Sequence, residues 1–436
     1  MKYLEVYDLL IESFEKEHLK RGDRLPSIRT LVDRYKVNKS TILKAYDRLE
    51  AEHKVYSVPK SGYYFLDEKL ESKSWQDVNI RDVQINPKLL PYNEFGHAMN
   101  QAITKYQDSI FSYSETKGLE SLRHVLIKHL QERHVYCRLE QLFVVSGAQQ
   151  ALSIMRSIVD RDHIVVEEPG YDLFFKLFEP SQLRPVKRLG KINFAYLETL
   201  FSDERVKYFY TMPNLHNPTG LTYSKEDKEK ILRLASKHHV IIIEDDYIGD
   251  LNSKSLPMSH YDINDIVIYI KSFSKTFMPG NRVALVKVPK KYIELYEAEK
   301  RLADINTSLV IQGALEVYLS SGMYKRHIEK VRKYYQRKMN HLISMIKGMD
   351  MEGIYYTVPQ TGLFIYFYFS QDVSISTLIK RLKSDDIIVD SSSKMYHSKP
   401  DHHGIRLCTA YYDEDILCHT ICKLIFTIKE LLNKKY

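Results

Sequence analysis

The spacing of apolar residues divides the chain into two regions. In the first 66 residues, apolar positions recur at helical intervals in three short segments. These positions are Val6, Leu9, Leu10 and Phe14 in the first segment, Ile28, Leu31, Val32 and Tyr35 in the second, and Ile42, Ala45, Tyr46 and Leu49 in the third. The stretch KVYSVPKSGYYFL follows and contains two strand-like pieces around a turn. The pattern therefore predicts three short helices and then a β-hairpin.

Beyond residue 84, strand-like apolar runs alternate with helical ones. LFVVSG is followed by AQQALSIMRSIV, and HVIIIEDDY comes after KEDKEKILRLASKH. Such alternation is typical of an α/β domain whose mainly parallel sheet is covered by helices. The stretch LDEKLESKSWQDVNI between the two regions is polar and lacks sustained periodicity. We therefore expect residues 1–66 and 85–436 to form two domains, joined by a linker over residues 67–84.

The composition argues against a membrane protein or a disulfide-stapled one. Hydrophobic residues make up 44% of the chain, and nothing approaches eighteen consecutive apolar residues. The N-terminus carries acidic residues through its apolar pattern, unlike a signal peptide. The four cysteines are irregularly spaced and do not complete a zinc site. We therefore expect a cytoplasmic protein without a metal centre.

The positive charge is concentrated near the N-terminus. The net charge of the chain is +8, and the segment from Lys20 to Lys60 holds eleven Lys or Arg against five Asp or Glu. A local excess of this kind indicates an anionic partner, usually a nucleic acid.

The second and third predicted helices have the spacing of a helix-turn-helix. Ser27 can cap one and Asn38 the other, and only YKV lies between them. In such a motif the second helix of the pair enters the major groove with its N-terminal end first. The side chains exposed there would be Lys39, Ser40, Thr41 and Lys44. By pattern alone, a solvated basic face of a small helical domain remains an equal alternative.

The stretch RGDRLPSIRTLVDRYKVNKSTILKAYDRLEAEH resembles the GntR family of winged-helix regulators. The likeness extends over residues 1–66 and implies double-stranded DNA as a partner. It adds the helix that begins after Ser27 to the predicted interface. The candidate DNA-contacting residues are Ser27, Arg29, Lys39, Ser40, Thr41 and Lys44.

Lys275 directly follows an apolar strand in YIKSFSKTFMPGNRVALVKVP. A buried lysine costs free energy unless it is neutralised, paired or chemically used, and a Schiff base with an aldehyde is one such use. Ser272 and Arg282 on either side could bind the phosphate of an aldehyde cofactor. A surface turn is the alternative explanation for this stretch.

Pyridoxal phosphate (PLP) makes further demands that the chain can meet. A carboxylate must keep its ring nitrogen protonated, and Asp245 in VIIIEDDY is preferred to Glu244 and Asp246. The other candidates are Asn217 for the ring oxygen, Tyr171 for the ring face, the Gly147–Ala148 turn for the phosphate, and Arg406 for a ligand carboxylate. Each of these features has a commoner structural explanation, and only their conjunction in this order favours a cofactor site.

The same motifs, SGAQQAL, PGY, HNPTG, EDDY, SFSK with its arginine, and IRL, resemble those of fold-type I aminotransferases over residues 85–436. The resemblance implies a mainly parallel sheet with a smaller C-terminal α/β subdomain. It also implies that Lys275 forms the internal aldimine. The implied contacts are Asp245 at the pyridine nitrogen, Asn217 and Tyr247 at the ring oxygen, Tyr171 on the ring, Ser272, Arg282, Gly147 and Ala148 at the phosphate, and Arg406 at the substrate carboxylate.

A GntR-type winged helix joined to an aminotransferase-like domain resembles the MocR/GabR subfamily of bacterial regulators. This likeness implies a PLP-dependent transcription factor that senses an amine or amino acid through external aldimine formation at Lys275. It also implies a head-to-tail homodimer on an operator with two half-sites. Two alternatives stay open: a working aminotransferase that carries a DNA-binding arm, and a repressor whose large domain only dimerises.

Overall fold

The computed structural model describes residues 3–16, 19, 23–52, 54–58, 62–65 and 78–433. The chain divides into two compact units, residues 1–76 and 77–436. Most of the predicted linker, residues 67–77, lies outside the described residues. No helix in the described ranges is both long enough and apolar enough to span a bilayer.

The smaller unit contains three helices and a hairpin, as predicted. The helices are α1 (Tyr3–Lys16), α2 (Ile28–Tyr35) and α3 (Lys39–Ala51), and the strands are β1 (Val55–Val58) and β2 (Gly62–Phe65), paired antiparallel. Apolar residues of all three helices are buried together, and Tyr46 of α3 stacks on Tyr63 of β2 with ring centroids 4.0 Å apart. The hairpin is thereby packed against the third helix.

The two predicted helix caps differ in outcome. Ser27 caps α2, since its hydroxyl accepts a hydrogen bond from the Thr30 amide at 3.2 Å. Asn38 precedes α3 in extended conformation, but its side chain makes no capping hydrogen bond. The prediction of an Asn38 side-chain cap was therefore wrong. Lys36 turns the chain between α2 and α3 in the left-handed conformation, with φ of 54°.

The larger unit begins with a short strand, β3 (Val78–Asn79). Residues 78–84 were assigned to the linker from their polar sequence, but the structure places them in this unit. Two paired residues are too few to produce a recognisable alternation in the sequence.

A mixed sheet forms the centre of the larger unit. Within residues 78–433 its strands are β4 (Leu142–Val145), β5 (His163–Glu168), β6 (Leu183–Lys187), β7 (Val206–Thr211), β8 (Ile241–Asp245), β9 (Val267–Ser272) and β10 (Ala284–Lys287). They lie in the order β4-β10-β9-β8-β7-β5-β6. β10 runs antiparallel to both neighbours, and the other pairings are parallel. The predicted α/β class with a mainly parallel sheet is confirmed.

Helices accompany this sheet along the chain. They are α4 (Tyr92–Tyr106), α5 (Glu120–Gln131), α6 (Ala148–Val159), α7 (Asp172–Phe175), α8 (Phe194–Phe201), α9 (Lys225–Lys237), α10 (Ile293–Asp304) and α11 (Leu309–Ser320). Apart from the edge strand β6, the strands are almost entirely buried, which explains their apolar runs in the sequence.

A smaller C-terminal subdomain completes the larger unit. Its elements are α12 (Met323–Lys347), β11 (Ile354–Tyr356), β12 (Phe364–Ser370), α13 (Ile375–Ser384), β13 (Ile387–Ile388), β14 (His402–Cys408) and α14 (Glu414–Asn433). β12 lies between β11 and β14 in an antiparallel sheet, and β13 pairs in parallel with β3. The first half of α12 packs into the core around the large sheet, and its second half packs into the separate core of this subdomain.

Candidate functional site

Lys275 lies in the turn that follows β9. Its Nζ donates a hydrogen bond to the Val83 carbonyl at 2.7 Å. Burial lowers the pKa of Lys275, and the positive charges of Arg282 and Arg406 lower it further, although Cys408 opposes them. A lowered pKa raises the share of neutral amine, which is the form that attacks a carbonyl carbon.

Asp245 ends β8, the strand beside β9. Burial raises the pKa of this carboxyl to about 7, although the hydroxyl of Tyr210 donates to its Oδ2 at 3.0 Å. Its Oδ1 is buried and has no hydrogen-bond partner among the residues that the structure describes. A buried carboxyl oxygen without a partner can accept a hydrogen bond from a ligand, and a cationic N–H would form the strongest one.

The acids on either side of Asp245 have other partners. Glu244 accepts hydrogen bonds from the amides of Met258 and Ser259 at 2.6 and 2.7 Å. Asp246 accepts one from the hydroxyl of Tyr269 at 2.6 Å. Successive side chains of a strand point to opposite faces, so Asp245 faces away from both neighbours. This geometry favours Asp245 as the acid of the site.

Arg406 on β14 contributes a second cation. Its Nη1 donates to Oδ1 of Asn217 at 2.9 Å, and its Nη2 donates to the Arg81 carbonyl at 2.6 Å. The guanidinium lies over the ring of Phe364, 4.9 Å from its centroid. Its Nε is buried without a partner among the described residues. Arg406 therefore has a donor to spare for a ligand anion.

The charges of Asp245 and Arg406 both influence the pKa values of Tyr171 and Tyr247. Burial raises the pKa of Tyr171 to about 12, with Asp245 adding to the rise and Arg282 and Arg406 opposing it. The hydroxyl of Tyr247 donates to the Leu215 carbonyl at 2.7 Å. Burial raises its pKa too, with Asp245 contributing and Arg406 opposing. Both rings therefore lie within the field of the same charged groups.

A cradle for an anion forms where α6 begins. Gly147 precedes the helix with φ of 90°, and a Cβ at this position would lie 2.5 Å from Nη2 of Arg282. Nη1 of Arg282 lies 3.4 Å from the hydroxyl of Ser274, whose amide donates to Oγ of Ser272 at 3.1 Å. The first backbone amides of α6, which begins at Ala148, and the guanidinium form a site suited to phosphate.

The predicted DNA face lies on the smaller unit. Lys39, Ser40 and Lys44 are exposed at the start of α3, and Thr41 is half-buried. Arg29 is exposed on α2, while the hydroxyl of Ser27 is engaged in capping that helix. The positive charges thus lie at the N-terminal end of the second helix of the pair, where a groove-binding helix needs them.

Comparisons with known proteins agree with both units. Residues 2–65 match the family of bacterial regulatory proteins of the gntR type, and residues 86–419 match aminotransferase class I and II. An uncharacterised HTH-type transcriptional regulator, YcxD of Bacillus subtilis, is 38% identical over 91% of this chain and 93% of its own. The chain is a GntR-type transcriptional regulator of the MocR/GabR kind.

More distant relatives resemble parts or all of this regulator. The HTH-type transcriptional regulator NorG of Staphylococcus aureus is 24% identical over 94% of this chain and all of its own. The solved kynurenine aminotransferase of Pyrococcus horikoshii is 26% identical, with a TM-score of 0.76 over 81% of this chain and 91% of its own. The regulator therefore combines a DNA-binding domain with an aminotransferase fold.

Two structural observations indicate that the site of this regulator can hold PLP. The orphaned Oδ1 of Asp245 matches a protonated ring nitrogen. Gly147 lets the Arg282 guanidinium approach the start of α6 so closely that a Cβ would lie 2.5 Å from its Nη2, and a phosphate could bind this guanidinium together with the first helix amides. The structure brings all the predicted cofactor residues of the larger unit to one edge of the sheet, and their individual roles stay predictions.

Some residues of the site were missed by the sequence analysis. The hydroxyls of Tyr210 and Ser274 and the ring of Phe364 contact the predicted residues. The second serine of SFSK was a usable signal for Ser274. The backbone carbonyls of Arg81 and Val83 carry no signal, because every residue has one.

Proposed function

We propose that this regulator binds PLP through a Schiff base at Lys275 and alters its DNA affinity when an amine or amino acid displaces that lysine. The observation that carries the proposal is Asp245. A buried carboxyl with a raised pKa and an unpaired oxygen is costly, and a cationic ring nitrogen would relieve that cost.

PLP, when bound, supplies an aldehyde that condenses with primary amines. The lowered pKa of Lys275 provides the neutral amine for this reaction. Asp245 holds the proton on the ring nitrogen, and Arg282 with the first amides of α6 binds the phosphate. Tyr171 covers the ring and excludes water.

An effector with a carboxylate would bind Arg406. Its spare Nε–H and the second hydrogens of its two Nη atoms, which are not used by Asn217 or the Arg81 carbonyl, suit a bidentate carboxylate. Displaced from the cofactor, Lys275 becomes a free amine again. The effector changes DNA affinity only if it binds one conformation better, and a coupling of about 1–3 kcal/mol is enough for a switch.

The same proposal includes a head-to-tail homodimer on an operator with two half-sites. Support comes from large apolar side chains left exposed in the larger unit, among them Phe111, Tyr113 and Leu302, at 67%, 84% and 83%. A second copy of the chain would cover such surface.

The visible absorbance spectrum of the purified protein with PLP tests the cofactor and the effector together. We expect a Schiff-base band that Lys275→Ala abolishes, and a shift to a stable new band with one compound from a panel of amines and amino acids. If no band forms in the wild type, the regulator does not use PLP in this way.

A working aminotransferase is the second candidate, favoured by the complete set of cofactor groups at the site. An enzyme consumes amino donor and keto acid over many cycles, whereas a sensor stops after binding or half a reaction. Repeated turnover in a coupled assay would therefore favour the enzyme. If the large domain only dimerises, Lys275→Ala should leave gene regulation unchanged.

A further inference from the structure

Both cations of the proposed site hold the same short segment of backbone. Lys275 Nζ donates to the carbonyl of Val83 at 2.7 Å, and Arg406 Nη2 donates to the carbonyl of Arg81 at 2.6 Å. The two acceptors are two residues apart. We call residues 78–83 the strap.

The first part of the strap is fixed to the C-terminal subdomain. Val78 and Asn79 pair with β13, the Asn79 amide donates to the hydroxyl of Tyr412 at 2.7 Å, and the Ile80 carbonyl accepts from the Cys408 amide at 2.9 Å. The Ile80 side chain is fully buried. The strap is therefore anchored just before its contacts with the two cations begin.

The second part of the strap has weaker support. The side chain of Arg81 forms ion pairs with Asp82 and Asp390, each at 3.7 Å and each between exposed groups. Such pairs contribute little to stability. Nδ2 of Asn79 also donates to Oδ2 of Asp82 at 2.7 Å, and the half-buried Val83 side chain packs against the core. The hydrogen bonds from Lys275 and Arg406 are the part of this attachment that a ligand at the site can alter.

The chemistry proposed for the site competes with both bonds. When the neutral Lys275 amine condenses with an aldehyde, a C=N bond replaces the C=O bond, and the oxygen leaves as water with the two amine hydrogens. The nitrogen of a neutral imine has no N–H and cannot donate to Val83. A protonated imine keeps a single N–H, fixed in the imine plane, in place of the rotatable amine hydrogens that donate to Val83. A carboxylate bound to Arg406 neutralises the charge of the guanidinium and so weakens its hydrogen bond to the Arg81 carbonyl.

We propose that the strap responds to the ligand state of the site: Schiff-base formation at Lys275 releases the Val83 carbonyl, and carboxylate binding at Arg406 weakens the hydrogen bond to the Arg81 carbonyl. This inference rests on the proposed function and adds its route of regulation. In sequence the strap directly follows residues 66–77, which join it to the DNA-binding unit. It is therefore the first part of the larger unit that the linker meets.

Amide hydrogen exchange of the full-length protein, followed by mass spectrometry, tests the strap. The Arg81 amide donates to Oδ1 of Asn79 at 3.2 Å and lies in the part that Lys275 and Arg406 hold, so it reports release of the strap, whereas the amides of residues 78–80 report the anchored part. We expect saturation with PLP, judged by the Schiff-base band, to speed exchange of the Arg81 amide by about tenfold, the effect of losing one charge-assisted hydrogen bond, and to leave the amides of residues 78–80 slow. Peptides from β12 serve as the internal control and should not change.

Two variants of Lys275 form a matched pair. Lys275→Ala removes the donor, so the Arg81 amide should exchange fast with or without PLP. Lys275→Arg keeps a cationic donor but forms no imine, so exchange should stay slow under both conditions. The double variant Lys275→Ala, Arg406→Met should exchange faster than Lys275→Ala alone, and equal rates would overturn the Arg81 part of the inference.

The outcomes separate this inference from the proposed function. A Schiff-base band without faster exchange overturns the strap and leaves the cofactor proposal intact. The absence of a band in the wild type overturns both. A strap that opens in Lys275→Arg on PLP addition shows that the cofactor acts elsewhere, which also refutes the route.

Discussion

Replacing Asp245 by Asn should make the cofactor-free protein more stable at alkaline pH. The substitution keeps the size of the side chain and removes a carboxylate that is only 2% exposed. Burial raises the pKa of this carboxyl from 3.8 to about 7 in the fold. Ionisation of this group therefore does not oppose folding below pH 3.8; the free-energy penalty grows between pH 3.8 and about 7 and is constant above that.

The magnitude follows from the pKa difference. A difference of about three, at about 1.4 kcal/mol for each pH unit, corresponds to a penalty of about 4 kcal/mol above pH 7. About 3 kcal/mol of this develops between pH 5 and pH 8. The Asp245→Asn variant carries no such penalty, so its advantage in free energy of unfolding over the wild type should grow by that amount across the range.

Urea unfolding followed by far-UV circular dichroism at pH 5 and pH 8 measures this difference. Asp108→Asn, at an exposed position, is the control and should follow the wild type at both pH values. Saturation with PLP should reduce the pH dependence of the wild type, because a cationic ring nitrogen pairs with the carboxylate. The same substitution should weaken capture of PLP, measured by absorbance titration.

The reasoning fails if Asp245→Asn and the wild type lose stability in parallel between pH 5 and pH 8. Asp245 would then ionise in the fold as easily as in the unfolded chain. The case for it as the partner of the ring nitrogen would lose its physical basis.

Three further predictions concern the phosphate, the ring and the DNA. Gly147→Ala should raise the Kd for PLP by at least about tenfold, because its Cβ would crowd the guanidinium of Arg282. The matched control is Gly190→Ala, at a position with φ of 79° and open space around it, and this substitution should lower only the stability of the protein. Tyr171→Ala should weaken PLP binding in the same titration while Tyr171→Phe retains it, and equal losses would contradict a stacking role. Lys44→Ala should reduce the salt dependence of DNA binding, measured by fluorescence anisotropy, by about one unit of log–log slope, whereas an equal effect of Lys16→Ala on α1 would contradict the assignment of the DNA face.

The parts of the site that could be predicted are those in which a side-chain type carries the chemistry. Lys275 and Asp245 are an amine and a carboxylate at the ends of apolar runs, and parallel strands bring such ends together at one end of the sheet. Arg406 is a guanidinium within β14 of the separate antiparallel sheet. The preference for Asp245 over Glu244 came from the form of the EDDY motif, and only the structure shows which face of β8 each side chain occupies.

Other features depend on backbone geometry and escape sequence reasoning. The strap carbonyls of Arg81 and Val83 are acceptors that any residue would offer, and their position follows from the pairing of β3 with β13. The failed cap at Asn38 has a similar origin, because residue preference indicates which side chains can cap but not which rotamer the turn allows.

The helix α12 connects the surroundings of Lys275 with the core of the C-terminal subdomain. Its 25 residues span about 37 Å, and near its start His327 bonds through Nε2 with the carbonyl of Thr276, the residue after Lys275, at 2.9 Å. Its opposite end is embedded in the C-terminal core. Tilting the start of this rod by about 5° would carry its far end through about 3 Å. A tilt of α12 that leaves the residues beside Lys275 almost in place would therefore shift its far end, and the C-terminal core around it, by that distance.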